Sequence, residues 1–524
     1  MIPAFILQHA PALLLCVPML GAFATPLLGR LGAGIRNAWA LLAMLATLCV
    51  AGILTSEVLA NGTLIYTFGA AAPSFAVPLD SGGIPIRIIF AVDAMGAFMA
   101  LSASIVGTAV LLYSIASQKK NSGQDGYYGL LLLLTVGILG MVCTGDLFNF
   151  FVFLEINSLA GAALVAYRVD KGVAVEAGLK YAVLSTLGGL LVLFAIALLY
   201  GQYDALNIAM IASRMQFTLL DKVALVMLLV ALAMKAGSVP MHFWTPDAYS
   251  MAPSAITAFL VVASQASLYG VFRVVFSLYG LALDCLTVGW IIIILGVLSM
   301  FVGVTMAIPQ KDVKRLMAYH AVSQTGYMLL GVGVALAVLG NQDLLAAYGN
   351  IAMQGGIFHI INHAMYKGLL FLTAGAIFYR TGTRNLNRLG GLGHSMKWTM
   401  IFFIIGALAI AGIPPFNGFA SKLMIYESVF LFNPLLSIIA MVVSILTLAS
   451  FVKVFHSIFM GPALPEYAEV REAPLPMLIG MGILALMVIL FGVFPQQVVD
   501  ILVAPAAAAL TDQGGYIASV LGGA

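Results

Sequence analysis

Charge is what this chain has least of. Only 8% of its 524 residues are Asp, Glu, Lys or Arg, against roughly 25% in soluble domains, and no water-soluble fold covers its surface with so few. Cysteine is equally scarce: Cys16, Cys49, Cys143 and Cys285 lie far apart inside apolar runs. That spacing excludes a cysteine metal cluster or a disulfide framework and leaves core packing as their expected role. No Gly-rich phosphate loop, cysteine-rich cluster motif or nucleotide domain is present, so neither redox nor ATP energy is supplied by these residues. The net charge of +3, spread over scattered cations, excludes a case for nucleic acid or a polybasic lipid anchor. The N-terminus has no basic region followed by a small-residue cleavage site, so its first apolar run is expected to remain as a helix.

What is there is hydrocarbon: 62% of residues are hydrophobic. A membrane-spanning helix needs about 20 predominantly apolar residues, and such runs predict an all-α integral membrane protein of fourteen helices. Their centres fall near residues 19, 47, 104, 135, 156, 188, 228, 264, 296, 327, 364, 408, 446 and 483. An even count puts both termini on one side of the cell membrane. With the termini outside, the inner loops hold sixteen cations: Arg30, Arg36, Lys119, Lys120, Arg168, Lys171, Lys180, Lys311, Lys314, Arg315, Arg380, Arg384, Arg388, Lys397, Lys453 and Arg471. The outer loops hold four, Arg87, Arg214, Lys222 and Arg273, which is the bias expected of a correct orientation.

Three lysines and one acid remain inside the predicted spans: Lys235, Lys367, Lys422 and Glu155. Each costs about 2.5–3.5 kcal/mol at a helix centre, and such residues mark ion pathways by default. Lys235 precedes Gly237 and Pro240, and Lys422 follows Gly412, Pro414, Pro415 and Gly418. Broken helices at membrane depth line wet or protein-filled cavities, and paired breaks point to a transport path. They suggest two five-helix repeats, dividing the chain into residues 1–120 (helices one to three), 121–280 (helices four to eight), 281–460 (helices nine to thirteen) and 461–524 (helix fourteen and a tail).

His359, His363 and Lys367 stand four residues apart, within one face of helix eleven. His320, Ser323, Gln324 and Tyr327 make a stripe on helix ten, and Gln265 and Tyr269 lie on helix eight. Facing stripes of this kind hold water. Histidine exchanges protons near neutral pH unaided. For a lysine, burial disfavours the ammonium and a nearby carboxylate favours it, so a Glu155–Lys235 pair switches proton affinity as it closes and opens. A purely structural ion pair is the plainer reading of the same two residues. His359 and His363 also have zinc-ligand spacing, but no third ligand accompanies them. His320 is either a relay member or an interhelical hydrogen bonder. His242 and Asp247, beside Trp244, serve either proton uptake from the inner side or interfacial anchoring.

These residues sit in segments that resemble the antiporter-like subunits shared by respiratory complex I, Mrp Na+/H+ antiporters (the Mrp D type) and membrane-bound energy-converting hydrogenases. The segments are GDLFNFFVFLEINSL, KAGSVPMHFWTPDAYSMAPS, DVKRLMAYHAVSQTGYM, FHIINHAMYKGLLFL and AGIPPFNGFASK, in that order. The resemblance runs from about Asp93 to about Lys453. It implies inverted repeats, a switching pair of Glu155 and Lys235, and a charged axis continued by Lys367 and Lys422. It implies no cofactor in this chain, with iron–sulfur clusters and a nickel–iron centre in partner subunits. The partners it implies are membrane and peripheral subunits of a respiratory, hydrogenase or Mrp-type complex, together with protons, Na+ and lipid.

One position departs from the pattern: Gln265 stands where many members carry lysine or histidine, and an amide takes up no proton near neutral pH. Water and His320 bridge the gap, or the path is altered. With about thirty residues after helix fourteen, the long lateral helix of the largest complex I member is expected to be absent, which favours the Mrp or hydrogenase type. Three functions follow in order: a proton-translocating subunit driven by redox partners, a gradient-driven Na+/H+ antiporter subunit, and a scaffold without transport.

Overall fold

The computed structural model describes residues 4–68, 88–119 and 121–522; Arg87 and Lys120 lie outside them. The chain opens with α1 (Ala4–Gly29) and α2 (Ala33–Asn61), then β1 (Leu64–Thr67) and β2 (Ile89–Val92). The two strands pair antiparallel, Leu64 opposite Val92 and Thr67 opposite Ile89, and are the only regular sheet among the described residues. Next come α3 (Ala94–Ser117), α4 (Gln124–Cys143), α5 (Leu147–Val165), α6 (Gly172–Tyr203) and the short α7 (Ile208–Arg214). After these run α8 (Leu219–Ala236), α9 (Trp244–Met251), α10 (Ser254–Phe272), α11 (Cys285–Ala307) and α12 (Val313–Ala337). A single turn, α13 (Gln342–Leu344), leads into α14 (Asn350–Thr381), followed by α15 (Lys397–Ala411), α16 (Asn417–Phe432), α17 (Pro434–Phe459) and α18 (Leu475–Val493). Three short pieces end the chain: α19 (Pro495–Val498), α20 (Ala504–Thr511) and α21 (Gln513–Leu521).

Every one of the expected helix centres falls inside a helix, and eleven of those helices are long and apolar enough to cross a membrane. The remaining centres fall on α8, α12 and α15. α8 carries Lys235 and α12 the His320–Gln324 stripe, whereas α15 is apolar but short, ending at Ala411 before the Gly412 break.

Polar residues fix where the helices start. Asp93, Asp146 and Asp312 cap α3, α5 and α12 by accepting from the amides of Gly96, Asn149 and Arg315 at 2.9, 2.7 and 3.0 Å, satisfying donors that a helix leaves open. Thr218 and Asp221 form a reciprocal capping box on α8. Asp146 is pushed up to about 6 by burial, against the pull of the amides it accepts from.

The two breaks close in the same way. Gly237 ends α8 at φ 75° and Gly412 ends α15 at φ 77°, a left-handed conformation that a Cβ disfavours. The residue after each glycine donates five residues back, Ser238 to the Ala233 carbonyl and Ile413 to the Leu408 carbonyl, both at 3.0 Å. This is the Schellman ending. Two more break groups find side-chain partners: Trp244 Nε1 donates to the Met234 carbonyl at 2.8 Å, and the Val239 amide to Ser299 Oγ at 2.9 Å. Helix termini at membrane depth are therefore satisfied within the protein.

The cations assigned to inner loops gather at one end of the bundle. Arg36 pairs with Asp125 (2.9 Å), Arg315 and Lys180 with Asp247 (2.9 and 3.4 Å), and Arg384 with Asp312 (3.2 Å). Arg380 donates to the Glu472 carbonyl and Lys453 to that of Ile308. Two of these cations depart from the loop picture. Lys314 is buried and donates to the Ala252 carbonyl. Arg273, expected on the opposite rim, is buried in an ion pair with Asp93 and also holds Tyr269 Oη (2.7 Å). The tail folds back over the Arg273 end of α10, opposite the gathered cations, with Gln513 donating to the Ser277 carbonyl (3.2 Å) and Tyr516 lying over Arg273 (5.2 Å). Core packing holds for Cys143, which is buried, and in part for half-buried Cys285, which packs against the core; Cys16 is half-buried and Cys49 is exposed.

Replacing Gly412 by alanine is expected to destabilise the protein by about 1–2 kcal/mol through the left-handed backbone, read as a lowered thermal midpoint in detergent. Asp146 gives a pH signature. Its carboxyl binds a proton more tightly folded than unfolded, so its contribution to stability is complete below about pH 3.8 and is lost as pH rises through about 6. Asp146→Asn should remove that slope from a midpoint-versus-pH curve while keeping the cap.

Candidate functional site: a buried polar axis

Glu155 sits two turns into α5 and Lys235 in the last turn of α8, where the helix dipole favours a cation. The two meet: Lys235 Nζ lies 3.0 Å from Glu155 Oε1 and donates to Ser158 Oγ at 2.6 Å. Ser158 is three residues after Glu155 on the same helix face, and its hydroxyl donates in turn to the Leu154 carbonyl at 2.7 Å. The lysine side chain is 4% exposed and the glutamate 24%, so the pair is tethered at its cation and open at its anion. Facing it on α6 are Gly188 and Gly189; a Cβ at Gly189 would collide with the Glu155 carboxylate, and one at Gly188 would meet the Lys235 stem. The absence of side chains there is what admits the pair.

The other half of the axis has lysines without carboxylates. Lys422, on α16, donates to the Ile410 carbonyl (2.7 Å) and to Ser444 Oγ (3.0 Å), with Tyr327 beneath it at 4.6 Å. Lys367, on α14, donates to the Met317 carbonyl (2.7 Å) between the rings of Phe371 and Phe451. Neither has an acidic partner within ion-pair distance among the described residues. Ile410 lies in the last turn of α15, so the break itself supplies the oxygen that holds Lys422.

Three histidines stand among them, all buried. His359 joins Ser421 Oγ (2.9 Å), next to Lys422, and on its other nitrogen Gln324 Oε1 (3.2 Å) and Tyr366 Oη (3.1 Å). His363 Nδ1 accepts from Gln265 Nε2 at 2.8 Å, and the second hydrogen of that amide goes to the Ile360 carbonyl at 2.8 Å. Gln265 thereby holds His363 as the Nε2–H form. His320 bonds Ser450 Oγ at 2.8 Å.

His363, not His320, is therefore the neighbour of Gln265. The stripe on α12 also divides: Gln324 reaches the axis and Tyr327 lies against it under Lys422 while donating to the Ala440 carbonyl, whereas Ser323 turns away to the Met300 carbonyl. His363 Nε2, His320 Nδ1, Gln324 Nε2 and Asn362 Oδ1 are buried without a protein partner, and each such atom inside an apolar bundle calls for an ordered water.

At the end with the gathered cations, Asp247 joins Lys180 and Arg315, while His242 stacks on Phe243 (5.0 Å) inside the first break with Nδ1 unpartnered. The positioning residues that sequence reading passed over are Ser158, Gly189, Tyr366, Ser421 and Ser444. Ser158 was legible from its spacing to Glu155; Ser444, on a different helix from the lysine it holds, was not. No group of three or more His, Cys, Asp or Glu is arranged to hold a metal among the described residues.

An axis of this kind inside a multi-pass helical bundle is the mark of an ion-translocating membrane protein. Residues 144–447 match the family described as the transmembrane NADH:quinone oxidoreductase/Mrp antiporter family, and the chain belongs to it. It is 30% identical over 518 residues to NADH-quinone oxidoreductase subunit N of Desulforudis audaxviator, covering 94% of this chain and 97% of that subunit. To a Na(+)/H(+) antiporter subunit of Alkalihalophilus pseudofirmus it is 31% identical over 511 residues, covering 93% of this chain but only 62% of that longer protein. Among solved structures, a chain of the Mrp complex from Dietzia sp. DQ12-45-1b superposes with TM-score 0.85 at 27% identity, covering 98% of this chain and 100% of that one. The chain is thus an antiporter-like membrane subunit of a family that works in multi-subunit complexes.

Gly189→Ala is expected to push the Glu155 carboxylate off Lys235 without touching either charge. The expected loss of ion flux is about tenfold, the scale of displacing a proton-transfer group. Reconstituted vesicles check the flux, and an unchanged detergent-extracted yield confirms that the variant folds.

Proposed function

We propose that this chain moves protons through the membrane along Glu155, Lys235, Gln265, His363, Lys367, His359 and Lys422, with His320 beside them, as one subunit of a larger complex whose redox-active partner subunits drive it. The observation that carries the reading is the 3.0 Å Glu155–Lys235 contact at the mouth of a broken helix. A carboxylate there compensates the ammonium; withdrawal of the carboxylate leaves a buried cation that sheds its proton. Glu155 is the member free to withdraw, because Lys235 is also held by Ser158.

In the second half Lys367 and Lys422 rest on neutral oxygens, so each holds a proton loosely and passes it through water and histidine. His363, fixed by Gln265 with its Nε2–H toward unpartnered space, is the link between the halves. Gln265 orients the relay without itself titrating. His242 and Asp247 take up protons at the end bearing the gathered cations, which we assign to the inner side of the cell membrane by the positive-inside rule, with both termini outside. The matching Schellman endings at Gly237 and Gly412 support fourteen crossings that include two inverted five-helix repeats, residues 121–280 and 281–460, flanked by residues 1–120 and 461–524.

A second reading, exchange of Na+ for protons driven by an existing gradient, is favoured by the end-to-end superposition on an Mrp complex chain. Iron–sulfur and nickel–iron or quinone-reactive subunits co-purifying with the chain support the redox reading, and small hydrophobic subunits alone support the exchanger. Either reading requires transport. In vesicles with an imposed pH gradient, Lys235→Ala and Glu155→Gln should each slow proton flux about 100-fold, the scale of removing an acid–base group. Flux equal to the unmodified protein would leave only a scaffold role.

A further inference from the structure

Away from the axis, at the end where the cations gather, α3, α10, α14 and the loop after α5 line a cavity of about 340 Å³ open to solvent. Its lining includes Ser117, Arg168, Ser254, Phe378 and Arg380. Three sources of positive potential converge on it. Arg168 lies over the Phe378 ring at 5.6 Å and has no carboxylate within ion-pair distance among the described residues. Arg380 spends one nitrogen on the Glu472 carbonyl, while its Nε is buried without a partner. Ser254 is the first residue of α10, a helix whose N-terminus no side chain caps, so its free amides and dipole face the same space.

The neighbouring cation adds to the field without being available. Arg384 lies 5.8 Å from the other reach of Phe378 and is already committed to Asp312 and the Ser250 carbonyl. Burial, and after it Arg384, hold Arg168 below the ordinary guanidinium value against a weaker opposing pull from Asp170. Ser117 Oγ is a further buried hydroxyl without a partner. Guanidinium groups without an ion-pair partner among the described residues, a free helix N-terminus and an orphan hydroxyl in one open cavity are the donor set of an oxyanion site.

We propose that this cavity binds a phosphate group, held in a fork between Arg168 and Arg380 and against the N-terminus of α10. The phosphate is that of a free anion or of a lipid headgroup reaching in from the inner leaflet. Occupancy ties the ends of α3, α10 and α14 together, and α10 and α14 are the helices that carry Gln265 and His363. The site is independent of the transport reading, because none of its residues belongs to the polar axis.

The test is the thermal midpoint of the purified full-length chain in neutral detergent, with inorganic phosphate, with short-chain phosphatidylglycerol, and with chloride at equal ionic strength. A midpoint raised by about 2–4 °C with phosphate but not chloride identifies a free anion as ligand, and a rise with phosphatidylglycerol alone identifies a headgroup. The rise should vanish in Arg168→Gln/Arg380→Gln. Ser117→Asp, which places a carboxylate among the donors, should raise the ligand-free midpoint and abolish the response. No rise with either ligand, a rise that survives the double substitution, or a lowered ligand-free midpoint in Ser117→Asp overturns the site.

Discussion

An ammonium inside hydrocarbon has to be met by oxygen, and much of this structure follows from meeting that demand. Lys235, Lys367 and Lys422 each find oxygen within 3.0 Å. Lys367 takes the Met317 carbonyl inside α12 as a second acceptance, whereas the last carbonyls of a helix have no helical partner and are wholly free to accept. The break after Ala411 brings such an end to membrane depth, which is why Lys422 is held there; the break after Ala236 lets Lys235 face Glu155 from a terminal turn. Charge and broken helix are two aspects of one arrangement.

The two halves solve the problem differently. In the first, a carboxylate balances the lysine, so the pair is stable closed and costly when separated. In the second, carbonyls and hydroxyls solvate the lysines without neutralising them. On the proposed reading, a proton in the first half is governed by the position of Glu155 and one in the second half by local solvation. In the proposed transport path this difference makes one end a switch and the other a conduit.

Gln265 sits between the two. As a position in the chain it interrupts a run of titratable residues; in three dimensions both hydrogens of its amide are used, one to fix the His363 ring and one on the α14 backbone. An amide that orients a histidine does a different job from a residue that carries the proton. The same distinction separates the axis from Asp93 and Arg273, which pair so tightly under the folded-back tail that they anchor α3 to α10.

Local composition was enough to establish the membrane as solvent, the helix centres, the two breaks and the stranded charges, because hydrocarbon penalises a wrong residue at each position independently. It was also enough to group Arg36, Lys180, Arg315, Arg380, Arg384 and Lys453, but not to foresee the burial of Arg273 and Lys314, which depends on partners distant in the chain. Which polar residue answers which is settled only when the helices pack. His363 meets Gln265 across 98 positions, Lys235 meets Glu155 across 80, and Lys422 meets Ser444 on a third helix. Such pairings are set by the rotation and depth of each helix within the bundle. Those are fixed by packing of whole apolar faces, and periodicity along a single helix leaves them open.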